Sequence, residues 1–202
     1  PRDPGRFIGN RSSGRQGFAL AERALARGAE VTLVAANAEV RPPDGVKLVT
    51  VSSAQQLAQA CAEIAPRHDV IIMAAAVADY RPVTVAEGKI KKEQAGEELT
   101  LTFTRNPDIL QDLASARGSE QVIIGFAAET ETDDAALLEL GRAKIARKGC
   151  DYLVVNRVGW NLGFQSDENS IFVLSASGDV VSRHTGDKVS VADAILDLLV
   201  NV

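Results

Sequence analysis

Three continuous apolar runs constrain this chain more than anything else in it: VIIMAAAVA at 70–78, QVIIGFAAE at 121–129 and DYLVVN at 151–156. Apolar runs without polar alternation are how strands read when both faces of a sheet are covered, as in parallel sheets. Two further strand-like runs, VTLVAA (31–36) and VKLVTV (46–51), precede them. The segments between have helical length and pattern: FALAERALARG from Phe18, then Ala54 to Ala65 behind a Ser52 or Ser53 cap, Ile109 to Ala116, and Asp133 to Lys148. This alternation predicts an α/β fold, a mainly parallel sheet with helices on both faces. Towards the end, SIFVLSA (170–176), SGD and VVSRHT (180–185) predict an antiparallel hairpin, followed by a last helix over Val189 to Val200. Residues 79–105 break the alternation. They are polar and glycine-punctuated, and end in ELTLTFT, which alternates as a half-exposed strand. They are read as an excursion from the sheet that carries a basic flap. No repeat or interdomain linker is visible, so residues 1–202 are read as one domain.

Composition removes several function classes. No apolar run approaches the ~18 residues of a membrane helix, and the first residues are polar and charged, unlike a leader. Cys61 and Cys150 are far apart, which fits a reducing compartment rather than a disulfide framework. A cytoplasmic protein with no membrane partner is expected. His68 and His184 are isolated, so no histidine metal site is expected. The net charge of −5 argues against nucleic acid as a partner. Its distribution is uneven, however. Arg2, Arg6, Arg11 and Arg15 against Asp3 give residues 1–17 a net +3, and Lys89, Lys91 and Lys92 against Glu87 give residues 87–92 a net +2. Two short cationic stretches on an acidic body suit a small multiply charged ligand, and are equally the pattern of solvated loops.

The stretch NRSSGRQG, Asn10 to Gly17, opens the first helix without an apolar side chain. Ser12 or Ser13 can cap that helix, and glycine permits a tight entry. Capping needs one hydroxyl and no arginine, whereas arginine beside helix N–H groups makes a site for an anion. Ligands of open parallel sheets bind beyond the carboxyl ends of the strands. The residues expected there are Asp79, Tyr80, Arg81 and Pro82, then Thr130 and Glu131, then Asn156 and Arg157, with Gly125 and Phe126 inside a strand. Ala74, Ala75 and Ala76 leave room for a ligand or for close helix packing. In TRNPDIL (104–110), Asn106 suits a helix cap and Pro107 the first turn. Lys144 and Lys148 lie on one helical face near a C-terminus, where the helix dipole alone favours lysine. There is no G-x-G-x-x-G, no P-loop and no nucleophile elbow. Lysine, arginine, asparagine and backbone amides around an anion remain, a set suited to phosphoryl or nucleotidyl transfer.

Six motifs occur in order: RFIGNRSSGRQG, AAAVADYRP, GKIKK, NPDIL, GFAAET and KIARKGCD. Together they resemble bacterial phosphopantothenoylcysteine synthetase, the synthetase half of the bifunctional coenzyme A biosynthesis protein, from Arg6 to the final helix. The resemblance implies a Rossmann-like fold and a ligase. The carboxylate of 4′-phosphopantothenate would attack CTP and release pyrophosphate, and L-cysteine would attack the acyl-cytidylate to release CMP. By the same resemblance Asn10, Arg6 and Ala76 serve turnover of the intermediate, and Lys89 on the flap serves its formation. Asp79, Lys89, Asn106, Pro107, Asp108, Ile109, Phe126, Lys144 and Lys148 would bind CTP. Asn10, Arg11, Ser12, Ser13 and Gly14 would hold phosphopantothenate or its cytidylate. Mg2+ would ride on the triphosphate, with Asp79 a possible ligand.

Two departures stand out. The family has a strand ending in a Gly-Gly-Thr loop ahead of the first motif, and a flavin-dependent decarboxylase half in the full-length protein. Neither is in this sequence, so no decarboxylase activity is expected from it. A silent nucleotide-binding or assembly domain is the alternative, against which Asn10 and Lys89 argue. An NAD(P)-binding reductase is a second, against which the missing glycine fingerprint argues. The resemblance also implies a homodimer with a shared active site. The half-exposed ELTLTFT and the hairpin offer edges that a partner, or the chain's own helices, would cover.

Overall fold

The computed structural model describes residues 1–10, 12–37, 41–91, 97–158 and 168–200. In chain order the elements are α1 (Arg15–Ala26), β1 (Thr32–Ala36), β2 (Lys47–Val51), α2 (Ala54–Ile64), β3 (Val70–Met73), β4 (Tyr80–Pro82) and β5 (Phe103–Arg105). Then follow α3 (Ile109–Ala116), β6 (Val122–Glu129), α4 (Asp134–Lys148), β7 (Tyr152–Arg157), β8 (Glu168–Ser175), β9 (Val180–Asp187) and α5 (Lys188–Leu196). The expected alternation is therefore present, and the last helix ends at Leu196 with a 3₁₀ turn, Asp197–Leu199, beyond it.

Five strands form one sheet in the order β3-β6-β7-β8-β9. β3, β6 and β7 pair in parallel, and β8 and β9 add an antiparallel hairpin. β1 and β2 form a separate parallel pair, and β4 and β5 a separate antiparallel pair. Ile123, Ile124, Leu153, Val154 and Val155 are fully buried, as apolar strands covered on both faces must be. One face packs under α2, α3 and α4, through Leu57, Leu113, Leu137 and Ile145. The other packs under α1 and α5, through Ala19, Leu20, Val191 and Ile195. Arg23 and Arg27 of α1 both reach Asp193 of α5, at 2.9 and 2.8 Å, and tie that layer together.

Local chemistry sets the element ends. Ser53 caps α2 by accepting from Gln56 N–H, and Gln56 Oε1 accepts in return from Ser52 N–H, a reciprocal cap. α1 closes with the N–H of Ala29 on the carbonyl of Ala24, which requires Gly28 at φ +86°. His68 bridges the carbonyl of Ile64 and the hydroxyl of Thr32, so the end of α2 is pinned to the start of β1.

Two expectations are corrected, and one alternative left open for the hairpin is met. The apolar run 70–78 is a strand only to Met73, and β3 is half-buried because it lies at the end of its sheet. Its last pair is Met73 with Gly125, so Phe126–Glu129 of β6 pair with β7 alone. Residues 74–78 leave the sheet beside that free edge. ELTLTFT is a strand only at Phe103–Arg105, where it closes on Tyr80–Pro82 as a short arm. In the hairpin, Ile171 to Leu174 of β8 are buried by the chain's own layers, and only β9 presents an edge.

α4 approaches the sheet through Gly141, whose missing side chain makes the contact possible. A Cβ there would stand 2.6 Å from Leu174 Cδ1 and 2.9 Å from Val155 Cγ2. Gly141→Ala is therefore expected to destabilise the fold by about 1–3 kcal/mol through overpacking. Thermal unfolding followed by circular dichroism should show the midpoint lower by about 2–10 °C. An unchanged midpoint would mean that α4 sits farther from the sheet than described.

Candidate functional site

The carboxyl ends of parallel strands share one rim, and backbone groups that leave a sheet there need new partners. Residues 74–79 show how this is met. Asn10 Nδ2 donates to the carbonyl of Ala76 at 3.1 Å. Asn106 Nδ2 donates to the carbonyl of Ala78 at 2.7 Å, and its backbone N–H to the carbonyl of Asp79 at 2.8 Å. Because each acceptor is a carbonyl, the orientation of both amides is fixed. Arg81 Nη1 adds bonds to the carbonyl of Arg105 and to Asn106 Oδ1. The loop after Gly9 and the β4–β5 arm thus meet on the same short stretch beyond β3, and Asn10 and Ala76 are in direct contact.

Both expected helix caps at this rim are corrected. Asn106 is occupied as above, and Asp108 caps α3 by accepting from Gln111 N–H at 3.3 Å, which leaves Pro107 outside the first turn. At α1 neither Ser12 nor Ser13 is the cap. Gly14 holds that position at φ +74°, a conformation cheap only without a Cβ, and supplies no side-chain cap. Gln16 Nε2 reaches the carbonyl of Lys188, which fastens the start of α1 to α5. Arg11 lies outside the described residues, as does Lys92 of the flap.

The two lysines of α4 are not idle dipole partners. Lys148 Nζ donates to both oxygens of Asp108, at 2.6 and 2.5 Å, and Lys144 Nζ to Glu129 Oε1 at 2.5 Å. Burial pushes the Asp108 carboxyl upward, but the bonds from Lys148 and Gln111 N–H outweigh it and hold it below the usual range. Two ion pairs, Asp108–Lys148 and Glu129–Lys144, thereby join α4 to the start of α3 and to the end of β6, with Asn106 two residues before the first of them. Two other expected residues stand apart from these pairs. Phe126 packs with the cluster under α1 and α5, on the opposite face of β6. Ile109 is 3% exposed, so its side chain belongs to the core and only its backbone can face a ligand.

Lys89 is exposed, and among the described residues it makes no hydrogen bond or ion pair. The chain on either side of it is held. Ala86 N–H donates to the carbonyl of Arg2 at 3.1 Å, and Arg6 Nη2 donates to the carbonyl of Ile90 at 2.7 Å. Arg6 is itself held by Asp3, through Nε at 3.0 Å and Nη2 at 2.7 Å. Asp3 also accepts from Gly5 N–H at 3.0 Å and, at 3.5 Å, from Ile90 N–H. Asp3 is the one buried charged residue among those described, at 1% exposure. Asp3 lies outside the motifs read from the sequence, though Asp3–Pro4–Gly5 has the order of an Asx turn, and Glu129 lies within GFAAET without having been singled out. Asp79 is exposed, and no three His, Cys, Asp or Glu among the described residues are grouped to hold a metal ion. No helix among them is long and apolar enough to cross a membrane.

Comparison with known proteins gives a consistent result. Residues 1–202 match the family model of the DNA/pantothenate metabolism flavoprotein C-terminal domain. The coenzyme A biosynthesis bifunctional protein CoaBC of Mycobacterium tuberculosis is 48% identical over 206 residues, 99% of this chain and 49% of that protein. The chain spans about half the length of the curated relatives it matches. The solved C-terminal domain of CoaBC is similar at a TM-score of 0.78 and 33% identity, over 98% of this chain and 87% of that one. A Cab2 mutant solved in complex with phosphopantothenate-cysteine shares the fold at a TM-score of 0.68 and 18% identity, over 97% of this chain and 82% of that one.

The geometry around Asp3 predicts an acid titration. Burial raises its carboxyl, but the Arg6 guanidinium and the Gly5 and Ile90 amides prevail and bring it down to about 2. A carboxyl lowered on folding stabilises the structure fully above its unfolded value of about 3.9, and that contribution is lost as the pH falls toward 2. Carbon-13 titration of the Asp3 carboxyl should give a midpoint near 2. A midpoint near the unperturbed value of about 3.9 would mean that Arg6 does not hold it in solution.

Proposed function

The chain belongs to the DNA/pantothenate metabolism flavoprotein C-terminal domain family, and from that premise we propose that it joins 4′-phosphopantothenate to cysteine using CTP. The reading draws support from CoaBC, the coenzyme A biosynthesis bifunctional protein, at 48% identity, and from the phosphopantothenate-cysteine complex of a protein with the same fold. The observation that carries it is the rim beyond β3. There Asn10 meets Ala76, Asn106 meets Ala78, and two residues after Asn106 the cap residue Asp108 is paired with Lys148. A rim of amides and lysines without a nucleophile or metal cluster favours chemistry by positioning and charge.

In the proposed reaction a carboxylate oxygen of phosphopantothenate attacks the α-phosphorus of CTP. The bond to the β-phosphate breaks, and pyrophosphate leaves. The amine of cysteine then attacks the acyl carbon, an amide forms, CMP leaves, and the amine sheds a proton. Lys144 and Lys148, each anchored by a carboxylate, keep N–H donors to spare for phosphate oxygens. Lys89 on its exposed loop supplies charge to the departing pyrophosphate. Asn10, held by one N–H on Ala76, has a second N–H and its carbonyl for the acyl-cytidylate. Ser12, Ser13 and Gly14 at the start of α1 hold the phosphate end of the substrate. The described residues form no cluster for magnesium, so it would arrive as the counter-ion of the triphosphate, part of the substrate.

We further propose a homodimer in which the partner completes the site. Phe7 and Ile8 before Asn10, and Tyr80, Val83 and Phe103 on or next to the β4–β5 arm, are large apolar side chains left exposed, Phe7, Tyr80 and Val83 by more than half. Such a patch favours a partner. A cytoplasmic location and a decarboxylase partner domain in the full-length protein complete the reading.

Incubation with CTP, magnesium and 4′-phosphopantothenate, with and without cysteine, tests the reaction. Lys89→Gln is expected to slow pyrophosphate release by about 10²–10³-fold. Asn10→Asp replaces a donor with an acceptor opposite the carbonyl of Ala76, and is expected to leave acyl-cytidylate accumulated when cysteine is added. Wild-type pyrophosphate release in the first, or normal product formation in the second, would overturn these roles.

Sedimentation at micromolar concentration should find a dimer, and an active 21.4 kDa species alone would refute it. Residues 86 and 90 are tied to residues 2 and 6 of the same chain, which supports reading the flap and Asn10 as parts of one site. Mixing Lys89→Gln with Asn10→Asp chains should then restore no activity. Recovery would assign the flap to the partner's site.

A further inference from the structure

We propose that Asp3 is the positioning residue of the basic flap: it sets the Arg6 guanidinium that grips the carbonyl of Ile90, and so determines where Lys89 stands. This rests on the reading of Lys89 as the lysine that meets the nucleotide.

The turn at residues 2–6 has more polar chemistry than a turn needs. An Asx turn is complete with the Asp3 carboxylate on Gly5 N–H. Here the same carboxylate also takes both Nε and Nη2 of Arg6, and Arg2 Nη2 approaches it at 3.5 Å. Both Arg6 donors meet one oxygen, Oδ2, while Oδ1 takes Gly5 N–H, so a charge-assisted pair of bonds holds the guanidinium at a carboxylate that the turn itself orients. Arg6 Nη2 then spends its second hydrogen on the carbonyl of Ile90. Ile90 N–H turns back toward Asp3, so both backbone groups of Ile90 face the pair. Four residues earlier, Ala86 N–H rests on the carbonyl of Arg2. The loop is therefore fastened at Ala86 and at Ile90, on either side of Gly88 and Lys89.

Burial supports the assignment. Pro1, Pro4, Gly5 and Arg6 are all exposed, yet the Asp3 side chain between them is fully covered. Burying a carboxylate is unfavourable unless it is paired, so a turn with no other task would leave this position to solvent. The partners that cover it are the flap and the guanidinium that holds the flap. Asp3 does not touch the reacting groups in this scheme. It acts through Arg6 and the backbone of Ile90.

The test uses the full chain with Asp3→Asn, which keeps the shape, and Asp3→Ala, which removes the carboxylate. Hydrogen exchange without any substrate should show Ala86–Lys91 at least about tenfold less protected in both, because an anchoring contact has been removed. Rates in α4 and β6 should stay the same. If exchange at Ala86–Lys91 is unchanged in a variant that folds, the proposal is overturned, and Asp3→Asn serves if Asp3→Ala fails to fold.

With CTP, magnesium and 4′-phosphopantothenate, kcat for pyrophosphate release should fall about 10²-fold while KM for cysteine stays within about twofold. In the Lys89→Gln background, Asp3→Asn should cost nothing further, since residues acting as a unit are not additive. Full additivity would reduce Asp3 to a structural role and overturn the proposal. Absence of CTP-dependent pyrophosphate release from the wild-type chain would instead refute the functional reading. The exchange experiment would still decide whether Asp3 holds the flap.

Discussion

The geometry of the rim depends on β6. It pairs in parallel with β3 over Val122–Gly125 and with β7 over Ile124–Glu129, and is covered by helices on both faces. A slip of one residue would exchange Ile123 with Ile124 and invert both cores, so its register is set by apolar burial. β6 then outruns β3. Its last four residues have β7 on one edge and, where β3 has ended, only the small residues that follow Met73 on the other. The free edge of β6 beyond β3 is thus the consequence of one strand being longer than its neighbour, and the chain that leaves β3 there begins with three alanines.

That arrangement leaves backbone carbonyls without a sheet partner, and the molecule answers them with side-chain amides. Asn10 and Asn106 come from segments far apart in sequence and donate to carbonyls two residues apart. Aspartate in either place would set acceptor against acceptor. The same two bonds fold the loop before α1 and the β4–β5 arm over a single stretch of chain. Polar satisfaction and assembly of the site are therefore one event.

Much of this was legible in the sequence, and the remainder was hidden for identifiable reasons. The alternation of apolar runs with helical segments predicted the order of elements, because burial on both faces writes itself directly into composition. Strand ends were less legible, since Ala74 to Ala78 are as apolar as a strand interior, and only the partner's length shows where pairing stops. Caps failed where two suitable residues were close together. Asn106 and Asp108 both suit a cap, and the tertiary bond to Ala78 decides between them. At α1 the cap position falls to Gly14 in a left-handed conformation, while Ser13 just before it still accepts from Arg15 N–H at 3.5 Å. Lys144, Lys148 and Asp108 were expected at the site, but the pairings Lys148–Asp108 and Lys144–Glu129 were not legible, because the partners lie on different elements. Asp3 was hidden by being read as one acid diluting four arginines.

The charges of the site divide into two kinds, and the division has a physical logic. Lys144 and Lys148 stand on a rigid helix with carboxylates within 2.6 Å, so their positions are defined before any ligand arrives and their net field is small. Lys89 stands on an exposed loop with no partner among the described residues, and a Cβ on neighbouring Gly88 would meet nothing within 4 Å. Its charge is uncompensated, which favours attraction of a polyanion over distance. An unpaired lysine on a free loop would lose much rotational freedom when it binds. Fastening the loop at Ala86 and Ile90 removes most of that loss in advance while leaving the side chain free to reach. For the proposed step, which would first draw in a triphosphate and then release pyrophosphate, a lysine held at its base and free at its tip is better suited than one locked in an ion pair.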